Sequence, residues 1–374
     1  MKIVFLTNLV NHHQIPVADE LYKLIGDDYT YVAMEQLPDW LKKGGYSDTE
    51  RPYILRYADN LGEIRNLVND ADVVIIGSAP EWLVTQRIKE NKLTFHYSER
   101  WFKKISYHLL SPRLWMSLWL NHVRFRNKRS YMLCASAFTA TDAHKVFAYP
   151  NKCFKWGYFT KVEDFDIKTL LKAKHSDTIR IMWCARFLDW KHPELAIMLA
   201  EQLKRMSYNF VIDMFGSGVE LERTKELAKS LDVVDVVKFR GNMPNDEILK
   251  QLREHDIFIF TSDRNEGWGA VANEAMSNGC AFVGSDKIGS VPFLVKDGVN
   301  GLVFKSGDLK DLTCKVKLLI ENQSLREKLS NNAYQTMQNE WSPQVAAKRF
   351  IELSTILMCG EDLAFINDGP CSKI

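Results

Sequence analysis

The chain predicts an α/β fold with two domains, each built on a parallel sheet, and three observations carry that expectation. Short apolar runs alternate with amphipathic stretches along most of the sequence, the order that gives parallel strands joined by right-handed crossovers. One run, Ile257 to Phe260, is continuously apolar after polar Glu254, His255 and Asp256, as a strand covered on both faces must be. The length of 374 residues, with 46% hydrophobic content, exceeds one typical core and is enough for two.

In order, Lys2 to Thr7 predicts the first strand, and Pro16 to Leu24 a helix with Val17, Leu21 and Leu24 on one side. The connection between them lacks the Gly-x-Gly-x-x-Gly of a dinucleotide fold, which counts against a dehydrogenase. It carries Asn11, His12, His13 and Gln14 instead, polar groups placed either to meet an acceptor or donor phosphates at the strand end or to serve as ordinary loop residues. Tyr29 to Met34 and Asp72 to Ile76 are further strands, with a helix over Ile64 to Asn69, and Gln36 to Pro52 reads as a long loop. Leu93 to Tyr97 is the next strand and runs into His96, Tyr97, Ser98, Glu99 and Arg100. Tyr131 to Ser136 and Phe154 to Phe159 are strands flanking a helix at Thr139 to Phe147. Polar Lys161 to Asp177 is the expected linker.

In the carboxyl half, strands are expected at Ile179 to Cys184, Phe210 to Phe215, Val236 to Phe239 and Ile257 to Phe260. Helices are expected at Pro193 to Met206, Ala270 to Ser277, Leu309 to Ile320 and Gln344 to Met358. Gly216, Ser217 and Gly218 form a tight turn where backbone can approach phosphate. Gly360 to Ile374 reads as a loose tail.

Charge and cysteine usage narrow the function. The formal net charge is +2, which argues against a general nucleic-acid binder. Seven scattered cysteines without a CxxC pair favour a reducing cytosol and disfavour a zinc site. Met1 to Val10 reads as a strand, not a signal peptide, and no run reaches the length of a membrane span. From Arg100 to Arg129 there are eight Lys or Arg and no Asp or Glu, interleaved with Trp101, Phe102, Trp115, Trp119 and Phe125. That pattern suits an anionic membrane surface. A core helix with snorkelling cations and a groove for single-stranded nucleic acid are the alternatives.

The chemistry concentrates between Thr261 and Gly289. Glu266 and Glu274 flank a turn containing Gly267, Trp268, Gly269 and Ala270, and the helix after it offers N–H groups to an anion. With 47 acidic residues in the chain, about six acidic pairs at this spacing arise by chance, so the context must discriminate. Glu266, Gly267, Gly269, Glu274, Ala275 and Gly279, followed by a strand, together resemble the E-x7-E signature of retaining glycosyltransferases of the family conventionally numbered four. Arg186 and Lys191, in ARFLDWKHPELAI, resemble the pair that grips the donor diphosphate in that family. The likeness is strongest from Ile179 to Phe304, about a third of the chain.

The resemblance implies a GT-B fold, two Rossmann-like domains with parallel sheets facing across a cleft. An acceptor domain would span 1–160, with the helix at 343–358 packing back on it, and a nucleotide-sugar domain 178–340. It further implies transfer of a sugar, with retained anomeric configuration, from a UDP- or GDP-linked donor. Glu266 would hold the sugar hydroxyls, Glu274 the ribose, and Arg186 and Lys191 the pyrophosphate, with no metal or cofactor required. Gly216 and the Gly241, Asn242 and Met243 turn would lie along the nucleotide. His96 or Glu99 would stand near the transferred sugar, unless held structurally by Arg100. His12, His13 and Gln14 would face the acceptor, a lipid-linked or surface glycan of polysaccharide or lipopolysaccharide synthesis. The expected location is the cytoplasm, peripheral to the inner face of the cell membrane. Phe293 departs from the family, whose members usually place a Glu there. A nucleotide-sugar epimerase on the same fold and a non-catalytic glycan-binding protein are the rival readings.

Overall fold

Every residue of the first strand, β1 (Ile3–Thr7), is buried, because parallel neighbours flank it on both sides. These are β2 (Tyr29–Ala33) and β4 (Val73–Ile76), and β3 (Ile54–Arg56), β5 (Thr94–Ser98), β6 (Ser130–Cys134) and β7 (Cys153–Lys155) complete a seven-stranded sheet in the order β3-β2-β1-β4-β5-β6-β7. The computed structural model describes residues 1–36, 38, 49–57, 60–103, 111–360 and 367–374. The chain forms two compact units, Met1–Lys161 with Glu340–Ile374, and Val162–Asn339. Most of the expected loop at Gln36 to Pro52 lies outside the described residues.

In the first unit, helix Ile15–Ile25 buries Ile15, Val17, Ala18 and Leu21. Helix Pro343–Cys359 packs against it, and the Phe350 ring of that helix meets the rings of Phe95 and Trp156 at 5.2 and 5.6 Å. Arg87 is fully buried. Its guanidinium donates to the carbonyls of Val68, Ala71 (3.1 Å), Asp72 (3.3 Å) and Leu93 (2.9 Å), and to Thr94 Oγ1 (3.1 Å). One side chain thus satisfies the carbonyls where a helix ends and where two strands begin.

The second unit holds a six-stranded parallel sheet of β8 (Ile179–Cys184), β9 (Phe210–Phe215), β10 (Val237–Gly241), β11 (Ile257–Phe260), β12 (Ala281–Ser285) and β13 (Leu302–Phe304), ordered β10-β9-β8-β11-β12-β13. β11 is buried throughout. Helices Pro193–Arg205, Leu309–Glu321 and Gln323–Asn339 supply apolar faces to its core.

Three expectations are corrected. The polar run 161–177 is not a linker: Asp166 caps a helix, Ile167–Ala173, that buries Ile167 and Leu171 with Tyr334. Of the expected loose tail, 361–366 lie outside the described residues, and 367–374 are not loose: Lys373 bridges Phe154, Cys371 N–H donates to the Lys155 carbonyl (2.7 Å), and Cys371 is fully buried. That segment covers the open edge of β7, a non-local pairing that local composition does not encode. The strand expected at Phe154 to Phe159 stops at Lys155.

Candidate functional site

Strand order in each sheet reverses once, and ligands of open α/β sheets bind beyond the strand carboxyl ends at that reversal. In the second unit it falls between β8 and β11, which pair directly, Ile181 beside Ile257 and Met182 beside Phe258. Cys184 ends β8, with Arg186 and Lys191 just after it. Glu266 follows β11, and Glu274 lies on the next helix, Val271–Ser277.

Lys191 and Glu266, both buried, form an ion pair through Nζ and Oε2. Lys191 also stands over the Trp190 ring at 4.4 Å and the Phe260 ring at 5.6 Å, a cation held by aromatic faces as well as by a carboxylate. Its backbone is pinned, because the Thr261 hydroxyl donates to the Lys191 carbonyl (2.6 Å) and accepts from the Trp183 indole N–H (2.9 Å). Glu274 is buried, and that burial pushes its carboxyl up to about 7 against a hydrogen bond from Asn245. The Cys184 thiol links the two: burial pushes it up to about 12, the Glu274 charge adds to the rise, and the Lys191 charge opposes it. Lys191, Glu266, Cys184 and Glu274 therefore share one electrostatic neighbourhood.

Arg186 is exposed, and among the described residues no carboxylate pairs with it. Its loop abuts the turn after β9. A Cβ on Gly216 (φ +125°) would lie 2.0 Å from the Ala185 carbonyl, and one on Gly218 2.3 Å from that of Phe187. Only glycine permits two turns to meet so closely. Gly216 N–H donates to the Gly241 carbonyl (2.8 Å), and Asn242 Nδ2 to Ser217 Oγ (2.9 Å). The turns after β8, β9 and β10 thus form one ledge of main chain, with exposed Arg186 in the first turn and half-buried Met243 after the third.

At the Gly267 to Ala270 turn, Gly269 (φ +84°) lies where a Cβ would sit 2.6 Å from the Phe260 ring. Trp268, expected to hold donor, has a fully buried side chain whose indole N–H donates to Asn273 Oδ1 (2.8 Å). Phe293 packs its ring 6.2 Å from that of Trp268, which gives the residue standing in place of a Glu an apolar role.

The first unit reverses between β1 and β4, and there a cavity of about 390 Å³ is lined by groups that include Asn11, Gln14, Glu81, His96, Glu99 and His122. His96 and Glu99 therefore share one space. His12 and His13 are absent from its lining. Their rings lie 3.7 Å apart, and that of His13 stacks on Tyr158 (5.7 Å). Burial lowers His12 to about 4 and takes His13 well below its usual value, so both stay neutral. Gln14 Nε2 donates to the Tyr97 hydroxyl at 2.5 Å. Glu99 pairs with Lys103 and accepts from the Tyr158 hydroxyl (2.7 Å), while Arg100 stands 3.6 Å from Asp142. Glu81 and His122 gave no sequence signal, because their segments meet only in space.

The basic aromatic stretch divides. Phe125 is buried, and the Trp101 indole donates to Ser98 Oγ (3.1 Å) with its ring 4.8 Å from that of His122. Trp115, Met116 and Trp119, on helix Pro112–Asn121, are 45%, 58% and 52% exposed, and nearby Phe147 is 73% exposed. Residues 104–110 lie outside the described residues. No helix among the described residues is long and apolar enough to cross a membrane.

Two units, each built on an open parallel sheet, define an α/β architecture whose second reversal carries a set of cations and carboxylates. Residues 168–336 match the family described as glycosyl transferases group 1. An uncharacterized glycosyltransferase of Methanocaldococcus jannaschii is 25% identical over 191 residues, 51% of this chain and 48% of the relative. The amylovoran biosynthesis glycosyltransferase AmsK of Erwinia amylovora is 28% identical over 196 residues, 51% and 47%. The chain spans about half the length of these curated relatives. Among solved structures, Anabaena HepE in complex with UDP superposes with a TM-score of 0.69 at 16% identity, covering 95% of this chain and all of that one. The fold is that of the GT-B glycosyltransferases.

Proposed function

We propose that the protein transfers a sugar from a nucleoside-diphosphate sugar to an acceptor hydroxyl with retention of anomeric configuration. The observation that carries this reading is the Lys191–Glu266 pair at the β8/β11 reversal, with Glu274 in the same electrostatic neighbourhood. Arg186 and Lys191 stabilise the negative charge that grows on the leaving diphosphate as the anomeric C–O bond breaks. Glu266, oriented by Lys191, accepts hydrogen bonds from the sugar hydroxyls, and Glu274 from the ribose. The acceptor oxygen bonds to the anomeric carbon on the face the diphosphate leaves, and its proton passes to the departing phosphate oxygen. The two cations take the charge-neutralising role, so turnover needs no added magnesium.

The test is turnover on a panel of UDP- and GDP-sugars, with the linkage read by proton NMR. An inverted product overturns the mechanism. Glu266→Gln should lower kcat about 100-fold, roughly 3 kcal/mol of transition-state stabilisation, and near-normal turnover would remove Glu266 from its role.

The acceptor in this reading is a lipid-linked or surface glycan presented at an anionic membrane face. What supports it is the exposed set Trp115, Met116, Trp119 and Phe147 beside exposed Arg113, Arg124 and Arg126. Three cations at about 1 kcal/mol each give about 3 kcal/mol, enough for reversible association alongside inserted indoles. Vesicle co-sedimentation should depend on anionic lipid and fall in a Trp115→Ser, Trp119→Ser variant. Sedimentation indifferent to lipid charge and to both tryptophans would refute the surface.

A further inference from the structure

The cavity of the first unit brings His96 together with two groups, Glu81 and His122, that the transfer reaction does not use. Glu81 immediately precedes helix Trp82–Lys89, His96 lies in β5, and His122 follows helix Pro112–Asn121. Three separate segments thus bring a carboxylate and two imidazoles together, with one ligand atom from each inside 4.8 Å of the others. We propose that Glu81, His96 and His122 bind a divalent transition-metal ion of the zinc type.

The spacing is that of a coordination shell. His96 Nδ1 stands 3.5 Å from Glu81 Oε1. A neutral hydrogen bond would draw such a pair to about 2.7–3.2 Å. Two donors each about 2.1 Å from a tetrahedral zinc sit roughly 3.4 Å apart.

The outer groups fit as well. His122 Nδ1 lies 2.7 Å from the hydroxyl of fully buried Tyr149, which fixes the ring and leaves Nε2 for an ion. Two imidazoles and one carboxylate suit zinc and its neighbours better than magnesium or calcium, which prefer all-oxygen shells. Three protein ligands leave a fourth position open. Since all three residues line the cavity with Ser98, Glu99 and Tyr158, that position is completed by water or by an oxygen of whatever occupies the cavity.

The test uses the full chain stripped with chelator, carrying Cys314→Ser and Cys359→Ser because these thiols are exposed and free. Zinc chloride is titrated by calorimetry, and cobalt(II) by its visible absorption. One ion per chain is expected. Tyr149→Phe should keep that stoichiometry and bind about 10- to 100-fold more weakly. Glu81→Gln and His122→Gln should lose the site and the cobalt bands. The Glu81 side chain is 27% exposed, so Glu81→Gln decides alone if His122→Gln does not fold. No saturable zinc binding, or binding unchanged in Glu81→Gln, overturns the proposal.

Discussion

Replacing Glu274 by Gln should stabilise the free protein at alkaline pH and weaken its hold on a nucleotide. Burial raises the Glu274 carboxyl from 4.5 to about 7, a difference equivalent to about 3 kcal/mol. The sign follows from which state ionises first. Below about pH 4.5 the carboxyl is protonated in both the folded and unfolded chains, and its contribution to stability is fully present. As pH rises the unfolded chain loses the proton first, so stability falls progressively until the folded carboxyl also ionises near pH 7. A glutamine has no such slope. Urea-unfolding curves for wild type and Glu274→Gln at pH 5, 6, 7 and 8 should therefore diverge, the variant gaining up to about 3 kcal/mol by pH 8. His192, whose pairing with Glu194 raises its pKa, titrates in both proteins and cancels. Parallel stability profiles would refute the burial argument. At pH 8, where the folded carboxyl is ionised, the variant should bind UDP or GDP about 10- to 100-fold more weakly, the worth of a charged hydrogen bond to ribose. Equal nucleotide binding would detach Glu274 from the donor while leaving the stability argument intact.

The two cations should separate in the same assays. Arg186→Ala removes an exposed side chain with no carboxylate partner among the described residues, so stability should stay within about 0.5 kcal/mol while turnover falls. Lys191→Met leaves Glu266 buried without its partner and should cost about 3–5 kcal/mol as well as activity. Arg87→Leu removes the donor from three buried carbonyls, those of Val68, Ala71 and Leu93, and should cost about 3 kcal/mol or more, read as a lowered unfolding midpoint. A midpoint within error of wild type would mean that those carbonyls find other partners.

What could be read from the sequence depended on how local the physics was. β8, β9 and β11 were placed residue for residue, because their mostly apolar runs, broken only by Arg180 in β8 and Asp213 in β9, end where the covered strands end. Helix Asn245–Glu254 gave no signal, since it buries only Ile248 and Leu252, too sparse a stripe to show a period. β3 is three half-buried residues, and the edge pairing of Lys373 with Phe154 joins residues distant in sequence.

The same distinction separates the two sites. Arg186 and Lys191 share one loop, and Glu266 and Glu274 one turn and helix, so each half of the proposed donor set is a short motif whose meeting follows once β8 and β11 are neighbours. Glu81, His96 and His122 come from three segments that pairwise patterning does not connect, and each looks ordinary alone. The fold nevertheless puts both sets at the same kind of place, beyond the point where strand order reverses. A reversal opens a crevice because the two crossover connections there leave in opposite directions, so polar side chains at strand ends reach it without displacing core. Topology thus indicates where to look in either unit. Which chemistry is found there is set by whether the residues are near in sequence or only near in space.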